Sequence, residues 1–138
     1  MNIYFACSIT GGREYESFYR QFVAALEADG HVIPTSHLAK AEALEGERQL
    51  SPQDVYERDV NWIRNCDALI AEVSVPSHGV GYEIGYALNE GKPVLCLYQE
   101  TRRVSKMITG NSHPALKVGS YAVFDDAVAQ SHKFLDTL

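Results

Sequence analysis

The chain has 138 residues, of which 46% are hydrophobic and 22% charged, with 12 Lys and Arg residues against 18 Asp and Glu residues. This length fits one domain spanning 1–138, and the composition excludes disordered, collagen-like and disulfide-stapled classes. The net charge of −6 argues against a nucleic-acid polymer as partner, because such binding needs a surplus of cations. A small phosphorylated ligand stays compatible, since a few backbone N–H groups at a helix end can hold it.

The cysteines and the N-terminal segment indicate a reducing compartment. Cys7, Cys66 and Cys96 each lie in or beside an apolar run without CxxC spacing, which predicts reduced thiols packed in a core. The N-terminus has no basic segment typical of a signal peptide, and no apolar stretch reaches the length of a membrane span. We therefore expect a cytoplasmic protein, or a nuclear one in a eukaryote.

Strands and helices are predicted to alternate along the chain. Short apolar runs predict strands at 2–7, 31–34, 68–73, 93–98 and 121–124. Helical spacing predicts helices at 18–30, 51–66, 80–90, 102–108 and 126–138, while 35–50 is predicted as a loop with partial helix. Alternation of this kind indicates a parallel sheet covered on both faces, with ligands bound beyond the carboxyl ends of its strands. The loops at 8–12, 74–81 and 99–101 are therefore the expected binding loops.

Helix boundaries have clear signals at three places. Ser51 is a suitable N-cap, Pro52 fits the first helical position, and Asp54 completes a capping box. Gly30 and Gly91 follow apolar helical patterns, as helix-terminating glycines do.

Asp59 occupies an unusual position in the helix predicted at 51–66. Val55, Trp62, Ile63 and Cys66 form an apolar stripe in which Asp59 takes the i+4 place. Burial raises the pKa of a carboxyl, as a general acid working near neutrality requires. A structural Asp hydrogen-bonded to a neighbouring loop is the alternative.

Glu83 is the second candidate, in the segment Gly79-Val80-Gly81-Tyr82-Glu83-Ile84-Gly85. We expect it in the first turn of a helix directly after the clearest strand, where the helix dipole favours the ionised form. One acid placed to be protonated and one placed to be ionised, on adjacent helices, is the arrangement of glycosyl-transfer sites. A Glu that is merely favourable at a helix start is the alternative.

Anion-binding elements are predicted at two loops. Ser8 and the N–H groups of residues 9–12 follow the first strand and form a candidate anion nest, and Ser77 precedes a helix start. A tight turn without ligand and a simple helix cap are the alternatives. Dinucleotide-binding, P-loop and GxSxG motifs are absent from the sequence.

Three stretches together resemble a known family. They are IYFACSITGGR (3–13), YERDVNWIRNCDALIAEVSVPSHGVGYEIGYALNEGKPVLCLY (56–98) and VSKMITG (104–110). The chain resembles the nucleoside 2-deoxyribosyltransferase superfamily, and within it most closely the 2′-deoxynucleoside 5′-phosphate N-hydrolases. The resemblance implies a single-domain α/β fold, a flavodoxin-like (Rossmann-type) parallel sheet of five strands with helices on both faces.

The resemblance also implies a reaction and a set of site residues. The reaction is hydrolysis of the N-glycosidic bond of a 2′-deoxynucleoside 5′-monophosphate, without metal or organic cofactor. Glu83 would be the nucleophile, Asp59 would protonate or position the leaving base, and Tyr4 would orient Glu83. The implied substrate-binding residues are Ser8, Ile9, Thr10, Gly11, Gly12, Arg13, His37, Ser77, Gly79 and Ser105. Ser105 would come from the partner subunit of a homodimer.

Ser77 bears on the choice of substrate. The related transferases hold an acid at this place, which would repel a phosphate, whereas a neutral hydroxyl accepts a dianion. The sequence therefore favours nucleotide over nucleoside. A transferase that exchanges bases, and a nucleotide-binding module without turnover, remain the two alternatives.

Overall fold

Four parallel strands form the central sheet in the described part of the chain, which comprises residues 1–9, 14–39, 45 and 48–138 of a computed structural model. The strands are β1 (Ile3–Ala6), β2 (Ala68–Glu72), β3 (Val94–Gln99) and β4 (Leu116–Tyr121). The helices are α1 (Glu16–Ala28), α2 (Pro52–Asn65), α3 (His78–Asn89), α4 (Lys106–Thr109) and α5 (Phe124–Leu135), with a 3₁₀ helix at Ser36–Ala39. The strand order β1-β2-β3-β4 follows the chain order.

Side chains alternate between two apolar layers, one on each face of the sheet. Ile3 and Phe5 of β1 pack in the layer formed with α1 and α5, while Tyr4 and Ala6 pack in the layer formed with α2 and α3. This alternation is the period-2 geometry of a strand. The predicted α/β class with helices on both faces is confirmed, and Tyr4 is directed to the α2–α3 face.

The predicted count of five strands is wrong, because the 31–34 segment does not extend into a strand. It contributes one isolated parallel bridge, Asn2 to Val32, beside β1. Pro34 has no N–H to continue a ladder. The Thr35 hydroxyl instead accepts from the Phe5 N–H at 3.1 Å and donates to the Phe5 carbonyl at 2.8 Å. A buried side chain thereby satisfies the edge of β1 where a fifth strand was expected.

The predicted helix signals are confirmed in their main features. Ser51 caps α2 and forms a capping box with Asp54, with Pro52 at the helix start. Gly30 and Gly91 follow α1 and α3 with φ of 85° and 72°, the left-handed region that glycine adopts without strain. However, α3 begins at His78, two residues before the predicted start.

Other boundaries differ more. The last strand lies at Leu116–Tyr121, not at 121–124. This edge strand is largely exposed, and its apolar alternation is limited to Leu116 and Val118, too short a pattern to detect from sequence. Helix α4 is shorter than predicted, at Lys106–Thr109, and α5 begins at Phe124. Within the predicted loop at 35–50, residues 40–44 and 46–47 lie outside the described residues.

The three cysteines are buried and free, as predicted. Burial raises the pKa of Cys96 to about 12, so this thiol stays protonated at neutral pH. None of the helices among the described residues combines the length and apolarity needed to cross a membrane.

Candidate active site

Tyr4 and Glu83 form the centre of the candidate site. The Tyr4 hydroxyl donates a hydrogen bond to Glu83 Oε1 at 2.7 Å, joining β1 to α3. Tyr4 is fully buried, and burial together with the nearby charges of Glu83 and Asp59 raises the pKa of its phenol far above the ordinary value. Tyr4 therefore stays protonated and acts as a fixed donor to the Glu83 carboxylate.

Glu83 does not lie in the first helical turn, where the sequence predicted an ionised acid. Because α3 begins at His78, Glu83 lies in the second helical turn, beyond the free N–H groups of the helix start. Burial raises the pKa of Glu83 to about 7; the Tyr4 hydrogen bond opposes this shift, the charge of Asp59 adds to it, and Arg58 opposes it. Glu83 thus titrates near neutral pH.

Asp59 lies on the adjacent helix α2, mostly removed from solvent, with its side chain 17% exposed. Asp59 is half-buried, next to Val60, which with Ile63 forms the buried part of α2, so it borders the core-facing side on which the sequence placed it. Its carboxylate is not surrounded only by apolar groups, however, because Oδ1 accepts from Arg58 Nε at 2.9 Å. Asp59 influences the titration of both Tyr4 and Glu83, so the three predicted catalytic residues are brought into one site.

Arg58 and Trp62 belong to the same site, although sequence reasoning did not assign them a function. The Arg58 guanidinium lies 4.8 Å from the centre of the Trp62 ring. His37 meets the same indole edge to face, with ring centres 5.6 Å apart. The adjacency of Arg58 to Asp59 in the sequence was the available signal. The structure therefore places His37, a predicted substrate-binding residue, against α2 on the side that carries Asp59.

A cavity of about 540 Å³ lies at the start of α3 and contains two of the predicted binding residues. Ser77 caps α3 by accepting from the Val80 N–H at 3.3 Å, and Ser105 caps α4 by accepting from the Met107 N–H at 3.2 Å. Both line the cavity, together with Arg103. Sequence reasoning missed Arg103. Among the described residues no acidic side chain, Glu83 included, lines this cavity. Two hydroxyls and one cation make a suitable environment for an anion.

The remaining predicted binding residues are only partly described. Ser8 is buried directly after β1 and Ile9 is half-buried, whereas Thr10, Gly11, Gly12 and Arg13 lie outside the described residues. Gly79 is exposed in the first turn of α3. A search of the described residues finds no cluster of three or more His, Cys, Asp or Glu side chains arranged to hold a metal ion.

Comparison with known proteins identifies the family. The model of the nucleoside 2-deoxyribosyltransferase family matches residues 3–136. The 5-hydroxymethyl-dUMP N-hydrolase of Rattus norvegicus is 40% identical over 139 residues, covering 98% of this chain and 82% of that protein. The enzyme of the same name from Tetraodon nigroviridis is 40% identical over 114 residues, covering 80% of each chain. The solved structure of a CMP N-glycosidase from Clostridium botulinum matches 96% of this chain and 99% of its own, with a TM-score of 0.71 and 20% identity, a likeness of fold. The chain belongs to the nucleoside 2-deoxyribosyltransferase family.

Proposed function

We propose that this protein hydrolyses the N-glycosidic bond of 2′-deoxynucleoside 5′-monophosphates, releasing a free base and 2-deoxyribose 5-phosphate. The observation that carries the proposal is the Tyr4–Glu83 hydrogen bond of 2.7 Å beside the Asp59–Arg58 ion pair. The names of the relatives at 40% identity, both N-hydrolases of a deoxynucleotide, support the same reaction. The proposed location is the cytoplasm.

In this reaction Glu83 acts as the nucleophile. Its carboxylate attacks C1′ of the sugar, and the C1′–N bond breaks with its electron pair passing to the base. The base gains a proton. Water then attacks C1′ and releases one proton, which balances the proton taken up by the base, so that Glu83 leaves as a carboxylate and a hydroxyl stays on the sugar. Tyr4 holds the attacking carboxylate in one orientation, since its hydroxyl is a fixed donor.

Asp59 acts on the leaving base. An acid paired with Arg58 is suited to accept a hydrogen bond from the base and to orient it as the glycosidic bond breaks. The flat surfaces of Trp62 and His37 lie on the same side of α2. In this proposal Asp59 positions the base, and the proton reaches the base from Asp59 or from water.

The 5′-phosphate is bound at the start of α3. Ser77 donates its hydroxyl, and the neutral side chain avoids the repulsion that an acid would impose on a dianion. By the family resemblance, Ser8, the backbone of residues 9–12 and Arg13 also bind the phosphate in this proposal. Arg103 adds a cation within the 540 Å³ cavity. Six residues separate Ser77 from Glu83, about 9 Å along a helix axis, so one nucleotide can engage both.

The second candidate is the transfer of deoxyribose between bases, which the description of the family model favours. A transferase must let an acceptor base react with the glycosyl-enzyme faster than water does. A third reading is a module that binds nucleotide without turnover. A transferase would form a new nucleotide when free base is added, whereas a binding module would hold nucleotide without releasing its base. The hydrolase does neither.

The test is to incubate the purified protein with dGMP, dAMP, dCMP, dTMP, 5-hydroxymethyl-dUMP, GMP and deoxyguanosine, and to follow free base by chromatography. We expect base release from deoxynucleoside monophosphates and none from deoxyguanosine. Glu83→Gln and Asp59→Asn should each lose at least about 100-fold in rate. Glu90→Gln, an exposed acid at the end of α3, is the matched control and should retain wild-type rate.

Each contrary outcome has a distinct meaning. Cleavage of only the unphosphorylated nucleoside would contradict the role of Ser77. New nucleotide formed when free base is added would favour the transferase. Full activity in both Glu83→Gln and Asp59→Asn would exclude the proposed chemistry.

We also propose that the protein is a homodimer in which Ser105 contributes to the neighbouring site. Ser105 is exposed, and Met107 beside it is 83% exposed, an unusual state for a large apolar side chain. The adjoining cavity has apolar walls from Val80, Ile84 and Ile108. A second copy covering this surface would bury Met107 and bring its Ser105 to Ser77.

A further inference from the structure

Glu72 is a buried acid that the proposed chemistry does not use. It is the last residue of β2 and is 1% exposed. Burial raises the pKa of its carboxyl, while hydrogen bonds from Ser74 and Tyr121 oppose the shift. Burying a carboxyl costs free energy, and a well-packed apolar residue at such a position often makes the folded protein more stable. Its presence therefore calls for a role other than packing.

Glu72 cannot contact the substrate at Glu83. Strand alternation places it on the same face as Ile70, which packs in the layer with α1 and α5. Tyr4 and Ala71 belong to the opposite layer, where Glu83 lies. The influence of Glu72 on the site must therefore pass through the residues it binds.

Through Ser74 and Tyr121, Glu72 is connected to the carboxyl ends of β3 and β4. Both carboxylate oxygens of Glu72 accept from the Ser74 N–H, at 3.3 Å and 3.2 Å, and Oε1 also accepts from the Ser74 hydroxyl. Tyr121, at the end of β4, donates its hydroxyl to Oε1 at 2.9 Å. The Ser74 hydroxyl oxygen in turn accepts from the Gln99 N–H, at the end of β3, at 2.8 Å. Glu72 and Ser74 thus connect the carboxyl ends of β2, β3 and β4 through side-chain hydrogen bonds.

The loop that follows has no other anchor before α3. Val75 and Pro76 make no hydrogen bond within the described part of the chain, and Pro76 has no N–H to offer. The next fixed point is Ser77, the N-cap of α3. Only Val75 and Pro76 separate Ser74 from Ser77, a span of at most about 10 Å of extended chain, so the position of Ser74 limits the position of the Ser77 hydroxyl.

We propose that Glu72 is a positioning residue which, through Ser74, fixes the loop that carries Ser77 and thereby sets the affinity of the site for the 5′-phosphate. This inference rests on the proposed function, since it assigns the phosphate to Ser77. Catalysis at C1′ depends on Tyr4, Asp59 and Glu83, which are held by other contacts. A looser Ser77 loop therefore weakens binding of the phosphate and leaves the bond-breaking step nearly unchanged.

The main test compares two variants that each lose one buried hydroxyl. Ser74→Ala removes the link between Glu72 and Gln99, and Ser131→Ala removes the hydroxyl that donates to the Ala127 carbonyl in α5 at 2.9 Å. We expect Ser74→Ala to raise KM for a deoxynucleoside 5′-monophosphate at least about tenfold while kcat stays within about twofold. Ser131→Ala should keep wild-type KM.

Glu72→Gln is the second variant and should raise KM in the same direction. Its control is Glu90→Gln, which removes an exposed acid from the end of α3. Thermal melting establishes that each variant is folded, and Ser74→Ala decides the question if Glu72→Gln is not. Equal KM in Ser74→Ala and Ser131→Ala, or a fall in kcat at unchanged KM, would overturn the proposal.

A binding measurement separates this inference from the proposed reaction. Titration calorimetry of dGMP and of deoxyguanosine with each variant needs no turnover. If the wild type binds dGMP but releases no base, the hydrolase proposal fails and the Glu72 inference is still decided by the dissociation constants. Ser74→Ala should weaken dGMP about tenfold and leave any binding of deoxyguanosine unchanged. Equal weakening of both ligands would contradict a role specific to the phosphate.

Discussion

At the scale of single residues, the environment of Glu83 sets the pH at which the site works. Burial raises the pKa of Glu83 to about 7, and the hydrogen bond from Tyr4 is the largest influence that opposes this rise. A nucleophile must be ionised, so the rate falls as pH falls through the pKa of the free enzyme. We expect the acid limb of the kcat/KM profile to lie near pH 7.

Tyr4→Phe tests this link between the two residues. Removing the hydroxyl removes a hydrogen bond that favours the charged carboxylate, so the pKa of Glu83 rises and the acid limb moves to higher pH. The measurement is kcat/KM against pH from about 5 to 9, with initial rates of base release. Tyr86→Phe is the matched control, because Tyr86 lies on the same helix and its buried hydroxyl has no hydrogen-bond partner among the described residues. An acid limb that stays in place in Tyr4→Phe would show that Tyr4 does not tune Glu83.

At the scale of elements, the edge of β1 shows how a side chain can take the place of a strand. Thr35 is fully buried, and its hydroxyl serves both the N–H and the carbonyl of Phe5. Thr35→Val keeps a similar shape but leaves both backbone groups without this partner. We expect a loss of about 1–3 kcal/mol in the free energy of unfolding, measured by urea denaturation.

The control for this substitution is Thr109→Val, at an exposed position in α4. A surface change of this kind should stay within about 0.5 kcal/mol of the wild type. If Thr35→Val were as stable as Thr109→Val, the Thr35 hydroxyl would not be what secures the edge of β1.

The elements that sequence analysis located are those with a strong local signal. The capping box of Ser51 and Asp54 and the glycines after α1 and α3 are local signals, and each is confirmed. β4 was not detected because apolar alternation in this exposed edge strand is limited to Leu116 and Val118, after which Gly119 and Ser120 follow. The absence of a fifth strand was not predictable for a different reason, since the Thr35–Phe5 contact that replaces it joins residues 30 positions apart.

The features of the candidate site likewise divide into those that the sequence indicated and those that only the fold determines. Residue type and spacing indicated Asp59 and Glu83, the family resemblance implied Tyr4, and the structure brings all three together. The pKa of Glu83 was not predictable, because it depends on burial and on the neighbours Tyr4, Asp59 and Arg58, which only the fold brings together. Arg103 and Ser77 approach one another only through the fold, since they lie on different loops of the carboxyl edge of the sheet.

At the scale of the whole molecule, the open question is which chain supplies Ser105 to a given site. Within one chain Ser77 and Ser105 line the same cavity, so an intrachain contribution is geometrically available. The exposed Met107 next to Ser105 favours contact with a second copy instead. In a two-fold symmetric dimer each subunit would lend its Ser105 to the other, and the two arrangements then differ in how mixed dimers behave.

Mixing two defective variants distinguishes the arrangements. Glu83→Ala lacks the nucleophile, and Ser105→Ala weakens binding of the phosphate. If Ser105 crosses between subunits, a mixed dimer contains one site with an intact Glu83 and an intact Ser105. Random exchange of equal amounts then restores about one quarter of wild-type sites, measured as base release at substrate concentrations well below KM. If Ser105 serves its own chain, no intact site forms and the mixture gives only the mean of the two variants. Wild type mixed with Glu83→Ala, which retains half of its sites under either arrangement, is the control that mixing with inactive chains does not itself change the activity of intact sites.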